Sequence, residues 1–165
     1  MDAAAKRPRR RRPSLSSRAV RSVCRFALGT ACFNAGMVIW FLSDDTPCRP
    51  DQWLVSLFCH DMTGVDKATD RALQAAMLLC SAPQAAAAAL AMWLSGRPGR
   101  RRSSRALAYV ALAGSAANQL ISAWQMGLVI VAFPKDVWYM IISTVLLFLG
   151  TISVFDNFAL LMDVD

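Results

Sequence analysis

The sequence predicts an all-α integral membrane protein: an antiparallel bundle of four transmembrane helices, with a short interfacial helix in the first exoplasmic loop. Three observations support this prediction. Hydrophobic residues make up 56% of the 165 residues and charged residues only 18%, so a soluble domain of this size would lack the polar surface to face water. The apolar residues form four long uncharged runs, and the basic residues are concentrated beside those runs.

Residues 1–25 form a basic arm that contains nine of the 18 Lys and Arg residues. Four of the nine are consecutive, namely Arg9, Arg10, Arg11 and Arg12. Charge repulsion and low hydrophobicity favour disorder over the whole arm. Each basic residue near an anionic surface contributes about 1 kcal/mol of attraction, so we expect the arm to face the anionic cytoplasmic leaflet of the bilayer.

The four apolar runs have lengths that suit membrane spans. They cover residues 26–42, 72–94, 106–133 and 137–155, and the last continues to residue 162 if its two polar residues are tolerated near the interface. A transmembrane helix needs about 20 apolar residues, so the first run is short for a span. The third run, with 28 residues, has to tilt. Only residues 134–136 separate it from the fourth, which predicts a tight antiparallel hairpin.

The positions of the basic residues predict the orientation of the spans. Fourteen of the 18 Lys and Arg residues lie in residues 6–25 and 97–105. Four spans place both segments and the C-terminal tail on one side, and Lys and Arg are retained preferentially on the cytoplasmic side. We therefore expect cytoplasmic N- and C-termini, a basic cytoplasmic loop over residues 95–105 and an exoplasmic loop over residues 43–71. The membrane is the plasma membrane or the endoplasmic reticulum, and the clustering argues against nucleic acid as a partner.

The exoplasmic loop contains two cysteines, Cys48 and Cys59. Exoplasmic compartments are oxidising, so a disulfide between them is predicted, with two buried thiols as the alternative. Between the cysteines, residues 51–58 place Trp53 and Leu57 on one helical face. This pattern predicts the short interfacial helix, lying on the outer leaflet.

The third span carries a stripe of polar side chains that recur at intervals of three and four residues. The candidate intramembrane contacts are Ser115, Asn118, Ser122 and Gln125 on the stripe, Gln119 beside it, Asn34 in the first span and Gln84 in the second. Unpaired amides are costly in hydrocarbon, so these side chains should face the bundle interior or a partner protein. Two interpretations stay open: hydrogen bonds that fix the helix register, or a polar pathway for a solute or ion. No ionisable residue lies in the middle of a span, which favours the first interpretation.

Few residues could carry chemistry. The chain has no Glu and a single histidine, His60, which excludes glutamate-ligated di-iron sites and multi-histidine metal or haem sites. Asp156 is the only acid in a mainly apolar stretch, and its depth predicts an ion pair with Arg105 or Arg25, with simple exposure as the alternative. We therefore expect neither enzymatic activity nor a cofactor.

The sequence predicts a scaffold or an accessory subunit that contacts other membrane proteins, or copies of itself, through its helices and loops. The alternative is a small channel or transporter that uses the polar face of the third span. The third span, with its polar face and extra length, is where we expect a functional contact.

Overall fold

The computed structural model describes residues 15–43, 67–97, 99–132 and 137–163. Nearly all of these residues belong to four α-helices: α1 (Leu15–Ser43), α2 (Lys67–Ser95), α3 (Arg101–Ala132) and α4 (Val137–Met162). Each helix is long and apolar enough to cross a bilayer, judged by length and composition. For the described residues, the structure confirms the prediction of an all-helical chain with four candidate spans.

Contacts between helix ends show that α1 and α3 run opposite to α2. The guanidinium of Arg21, near the start of α1, donates to the hydroxyl of Ser95 at the end of α2. Ser104, near the start of α3, donates to the main-chain carbonyl of Ala91, also near the end of α2. The starts of α1 and α3 therefore lie at the same end of the bundle, beside the end of α2.

Helix α1 begins at Leu15, so residues 15–25 are helical where the composition favours disorder. This corrects the predicted boundary of the basic arm. The exposed side of this segment carries Arg18, Arg21 and Arg25, whereas Ala19, Val20, Val23 and Cys24 are buried on the opposite side. Burial of that apolar face stabilises the helix against the repulsion between the arginines, which remain separated by three or four positions on the exposed face.

Two loops are shorter in the structure than the sequence predicts. Helix α2 begins at Lys67 and α3 at Arg101, so each helix begins five residues before its predicted span. Arg101 and Arg102 therefore belong to the first turn of α3, and only residues 96–100 connect α2 to α3. Cys48 and Cys59, the interfacial helix over residues 51–58 and the arginines of residues 9–12 lie outside the described residues.

The best-buried part of the bundle is built mainly from small side chains. Five alanines contributed by α1, α2 and α3 are completely buried: Ala27, Ala88, Ala91, Ala108 and Ala111. Small side chains let helix backbones approach closely, which is how transmembrane helices commonly associate in lipid. Leu161 of α4 packs against the same cluster. The cluster lies at the end of the bundle where α1 and α3 begin and α2 and α4 end.

Helix α4 is packed less closely than the other three. Only 6% of the residues in its candidate span are buried, against 28–33% in the other spans. Its ring contact is with α3, where Phe158 meets Tyr109 edge to face with 5.8 Å between ring centroids. Phe148 and Phe155 are 65% and 69% exposed. Most of the α4 surface is therefore not buried against the other described helices.

Candidate functional site

Gln84 on α2 is the centre of a hydrogen-bond network that joins three helices. Its side chain is 1% exposed. The amide nitrogen Nε2 lies 2.7 Å from the main-chain oxygen of Ala27, 2.8 Å from Oγ1 of Thr30 and 2.8 Å from Oγ of Ser115. An amide nitrogen has only two hydrogens, so the three acceptors share them. This one side chain therefore links α2 to both α1 and α3.

Asn118 on α3 adds a second link to α2. Its side chain is also 1% exposed, and its Nδ2 donates to Oε1 of Gln84 at 2.8 Å and to Oγ of Ser81 at 3.1 Å. Both amide hydrogens of Asn118 are thus used. We call Thr30, Ser81, Gln84, Ser115 and Asn118 the amide network.

The hydrogen-bond partners fix the orientation of both side-chain amides in the amide network. The main-chain oxygen of Ala27 can only accept, so Gln84 turns its nitrogen toward Ala27 of α1 and its oxygen toward Asn118 of α3. That oxygen also only accepts, so Asn118 must present its nitrogen. Thr30 donates its hydroxyl hydrogen to the carbonyl of Ala27 at 3.0 Å, and its hydroxyl oxygen accepts from Gln84. The orientation of both amides follows from a single main-chain acceptor.

One atom of the amide network has no partner among the described residues. Oδ1 of Asn118 is buried and accepts no hydrogen bond there. A buried acceptor left unpaired costs about 1–3 kcal/mol. Asn118 is thus held through its nitrogen alone, and the network keeps one spare acceptor.

Two glycines allow the close approach of helices around these amides. A Cβ placed on Gly114 of α3 would lie 2.8 Å from Cβ and 3.2 Å from Cγ of Gln84, closer than packed carbon atoms normally come. Gly150 of α4 makes room in the same way for the side-chain amide of Gln119. Gly114 therefore sets the distance between α2 and α3 at the level of the amide network.

The structure brings together three of the seven predicted intramembrane contacts and separates the rest. Gln84, Ser115 and Asn118 form the amide network, whereas Gln119 lies against α4. The remaining three, Asn34, Ser122 and Gln125, are half-buried. The predicted stripe is therefore buried between helices at Ser115 and Asn118 and is more open further along α3.

Sequence reasoning missed two members of the amide network, Thr30 and Ser81. Their positions carried a signal, because Thr30 lies one turn before Asn34 and Ser81 lies three residues before Gln84. Small hydroxyl residues are common in spans and often bond to their own helix, so this signal is weak.

The other predicted contact is an ion pair between Asp156 and Arg105. Asp156 is exposed on α4 and Arg105 is half-buried on α3, and the ion pair stays a prediction. The three described cysteines, Cys24, Cys32 and Cys80, are free thiols.

Neutral side chains alone make up the amide network, which limits its chemistry. Amides and hydroxyls of this kind do not titrate in the physiological range, so they supply hydrogen bonds and not a general acid or base. No group of three metal-ligating residues occurs in the described helices and turns. No family model, no curated protein and no solved structure matches the sequence. Function therefore has to be argued from these residues.

Proposed function

We propose that the chain is a multi-pass membrane protein without enzymatic activity that acts as a scaffold or as an accessory subunit. It crosses the bilayer four times, and both termini lie in the cytoplasm. The membrane is the plasma membrane or that of the endoplasmic reticulum. Its partners are the lipid bilayer and other membrane proteins or further copies of the chain. The observation that carries the proposal is the burial of Gln84 and Asn118, which bond to each other inside the bundle.

An internal amide network favours a structural role because it uses the polar groups that a pathway would need. Hydrogen bonds between spans contribute about 0.6 kcal/mol each on average, and several together fix the relative register of α1, α2 and α3. The outer surface then remains apolar, apart from the helix ends. A three-helix core of fixed register is a suitable support for a fourth helix that presents its side chains outward.

Helix α4 is the element that we propose to contact partners. It buries the smallest share of its span within the chain, and Phe148 and Phe155 are its two most exposed phenylalanines. Aromatic side chains contribute strongly to contacts between proteins because they bury a large area in a few rotamers. The exoplasmic loop, with its predicted disulfide between Cys48 and Cys59 and its interfacial helix, would form a second contact surface outside the membrane.

Photocrosslinking in native membranes tests this proposal. We expect a photoreactive amino acid at Phe148 or Phe155 to yield a discrete adduct with another protein or with a second copy. The same amino acid at Leu120 or Trp124 of α3, which are 73% and 66% exposed, serves as the matched control and should give lipid adducts only. Lipid adducts alone at all four positions would contradict a partner contact through α4.

A channel or transporter is the second candidate function. The spare acceptor on Asn118 and the half-buried positions of Ser122 and Gln125 are the observations in its favour. We expect the purified chain in liposomes to give no solute-specific flux above that of protein-free liposomes. Flux that is reproducible and is lost in Ser122→Leu, but kept in Ser153→Leu on α4, would favour the second candidate over the scaffold.

A further inference from the structure

One end of the bundle carries a high density of positive charge. The arginines at this end are Arg18, Arg21, Arg25, Arg97, Arg100, Arg101, Arg102 and Arg105, and the acids described there are Asp156 on α4 and Asp163, which directly follows α4. Eight arginines against two aspartates leave a formal excess of six positive charges in the described part of this end. Seven of the eight arginines are exposed. Such an excess requires anions nearby.

The structure gathers part of this charge around the turn between α2 and α3. Nε of Arg21 lies 3.1 Å from Oγ of Ser95, and a terminal nitrogen of the same guanidinium lies 3.6 Å from a Cβ placed on Gly96. Ser95 is itself fixed by a 2.7 Å bond to the carbonyl of Met92. Arg21 of α1 is therefore held beside residues 96–100, with most of its five donors unused by Ser95.

The depth of this turn in the membrane is indicated by Trp93. The guanidinium of Arg97 lies over the Trp93 ring, 3.5 Å from its centroid, and the ring is 56% exposed. Tryptophan near the end of a span favours the headgroup layer, and stacking holds the arginine at the same level. Arg97 is thus positioned where lipid phosphates lie.

The first turn of α3 lacks the usual compensation for the positive end of a helix. It contains no acidic residue, and the residue before it is Arg100 instead of a capping Ser, Asp or Asn. Arg101 and Arg102 increase the positive potential there. An anion bound beside these arginines would stabilise this end of the helix.

We propose that Arg21, Arg97, Arg100, Arg101 and Arg102 form a binding site for a cytoplasmic-leaflet lipid whose headgroup carries more than one phosphate, such as a phosphorylated phosphoinositide. Guanidinium groups bind phosphate in a bidentate manner, so several arginines at one turn favour a multiply phosphorylated headgroup over a single phosphodiester. The proposal rests on the membrane insertion and orientation proposed above. It assigns the lipid to the turn between α2 and α3 and not to the arm.

Native mass spectrometry of the full chain in detergent tests the site with two variants that remove the same charge. The turn variant replaces Arg97, Arg100, Arg101 and Arg102 by Gln, and the arm variant replaces Arg9, Arg10, Arg11 and Arg12 by Gln. We expect phosphatidylinositol bisphosphate to bind the wild-type chain at least tenfold more tightly than phosphatidylserine. The turn variant should lose most of that preference, whereas the arm variant should change it by less than twofold.

Equal losses in the two variants would overturn the proposal, because net charge would then explain the binding. Binding of soluble inositol phosphate as tight as that of the lipid would overturn the assignment to a lipid. Arg21→Lys keeps the charge but loses the planar guanidinium group. We expect it to weaken the affinity for the lipid several-fold with an unchanged circular dichroism spectrum. Resistance of the chain to alkaline carbonate extraction is measured separately, so failed insertion is distinguished from failed lipid recognition.

Discussion

Replacing Gln84 by leucine is expected to destabilise the bundle by about 2–3 kcal/mol. Leucine has a similar volume but no polar atoms, so the change removes the bonds to α1 and the bond that Asn118 donates. It also leaves Asn118 with only its bond to Ser81. Most of the loss comes from polar groups left unpaired, because the apolar packing of the site is largely retained.

The measurement is equilibrium unfolding in mixed detergent micelles with a rising fraction of dodecyl sulfate, followed by tryptophan fluorescence. Asn34→Leu is the matched control, since Asn34 is a half-buried amide whose side chain makes no hydrogen bond within the described helices. That variant should unfold within about 0.5 kcal/mol of wild type. Similar midpoints for Gln84→Leu and Asn34→Leu would show that the amide network contributes little to stability.

Replacing Gly114 by alanine is expected to destabilise the chain by about 1–3 kcal/mol, although alanine is the better helix former. The added methyl group would overlap the Cβ of Gln84, so α2 and α3 would have to separate. Because Gln84 and Asn118 bond across this crossing at 2.8 Å, even a small separation also weakens the amide network.

Gly127 provides a control on the same helix with the opposite expected sign. Apart from the adjoining backbone of α3, no atom of the described residues lies within 4 Å of a Cβ placed there, so Gly127→Ala should stabilise α3 by about 0.5–1 kcal/mol through helix propensity alone. Both variants are compared with wild type by the same micelle unfolding. A shift of the same sign in the two variants would show that the crossing at Gly114 is not the limiting contact.

The architecture was largely predictable because hydrocarbon imposes simple rules on a chain. Long uncharged runs indicate helices, and four such runs give the four candidate spans of the structure. The polar face of the third span was predictable in part: a spacing of three residues put Ser115 and Asn118 on one face, and both are buried. Gln119, one position further, is turned by about 100° and lies against α4.

The sequence could not predict which residues face each other across neighbouring helices. Pairing between spans depends on helix rotation and on depth in the bundle, and neither is encoded in a local pattern. The choice of Gln84 over Gln74 on α2 illustrates this, since both lie in the same apolar run. Gly114 favours contact at the level of Gln84, because it lets α3 approach α2 closely there.

The predicted start of α1 is wrong because the composition of residues 15–25 hides a helical period. Arg18, Arg21 and Arg25 recur at intervals of three and four, the same helical spacing as the polar stripe of the third span. A window that begins at Leu15 shows an apolar face between them. Composition favoured disorder, whereas the pattern favoured an amphipathic helix, and packing against α2 and α3 stabilises the helix.

The location of the amide network in α1, α2 and α3 has a consequence for biogenesis. A ribosome synthesises these three helices before α4, so every donor and acceptor of the network is already present when α4 is still being translated. The early helices can thus satisfy one another without waiting for the remainder of the chain. Helix α4 is synthesised after these three, when the amide nitrogens of Gln84 and Asn118 already have acceptors, and it adds mainly an apolar surface to the core.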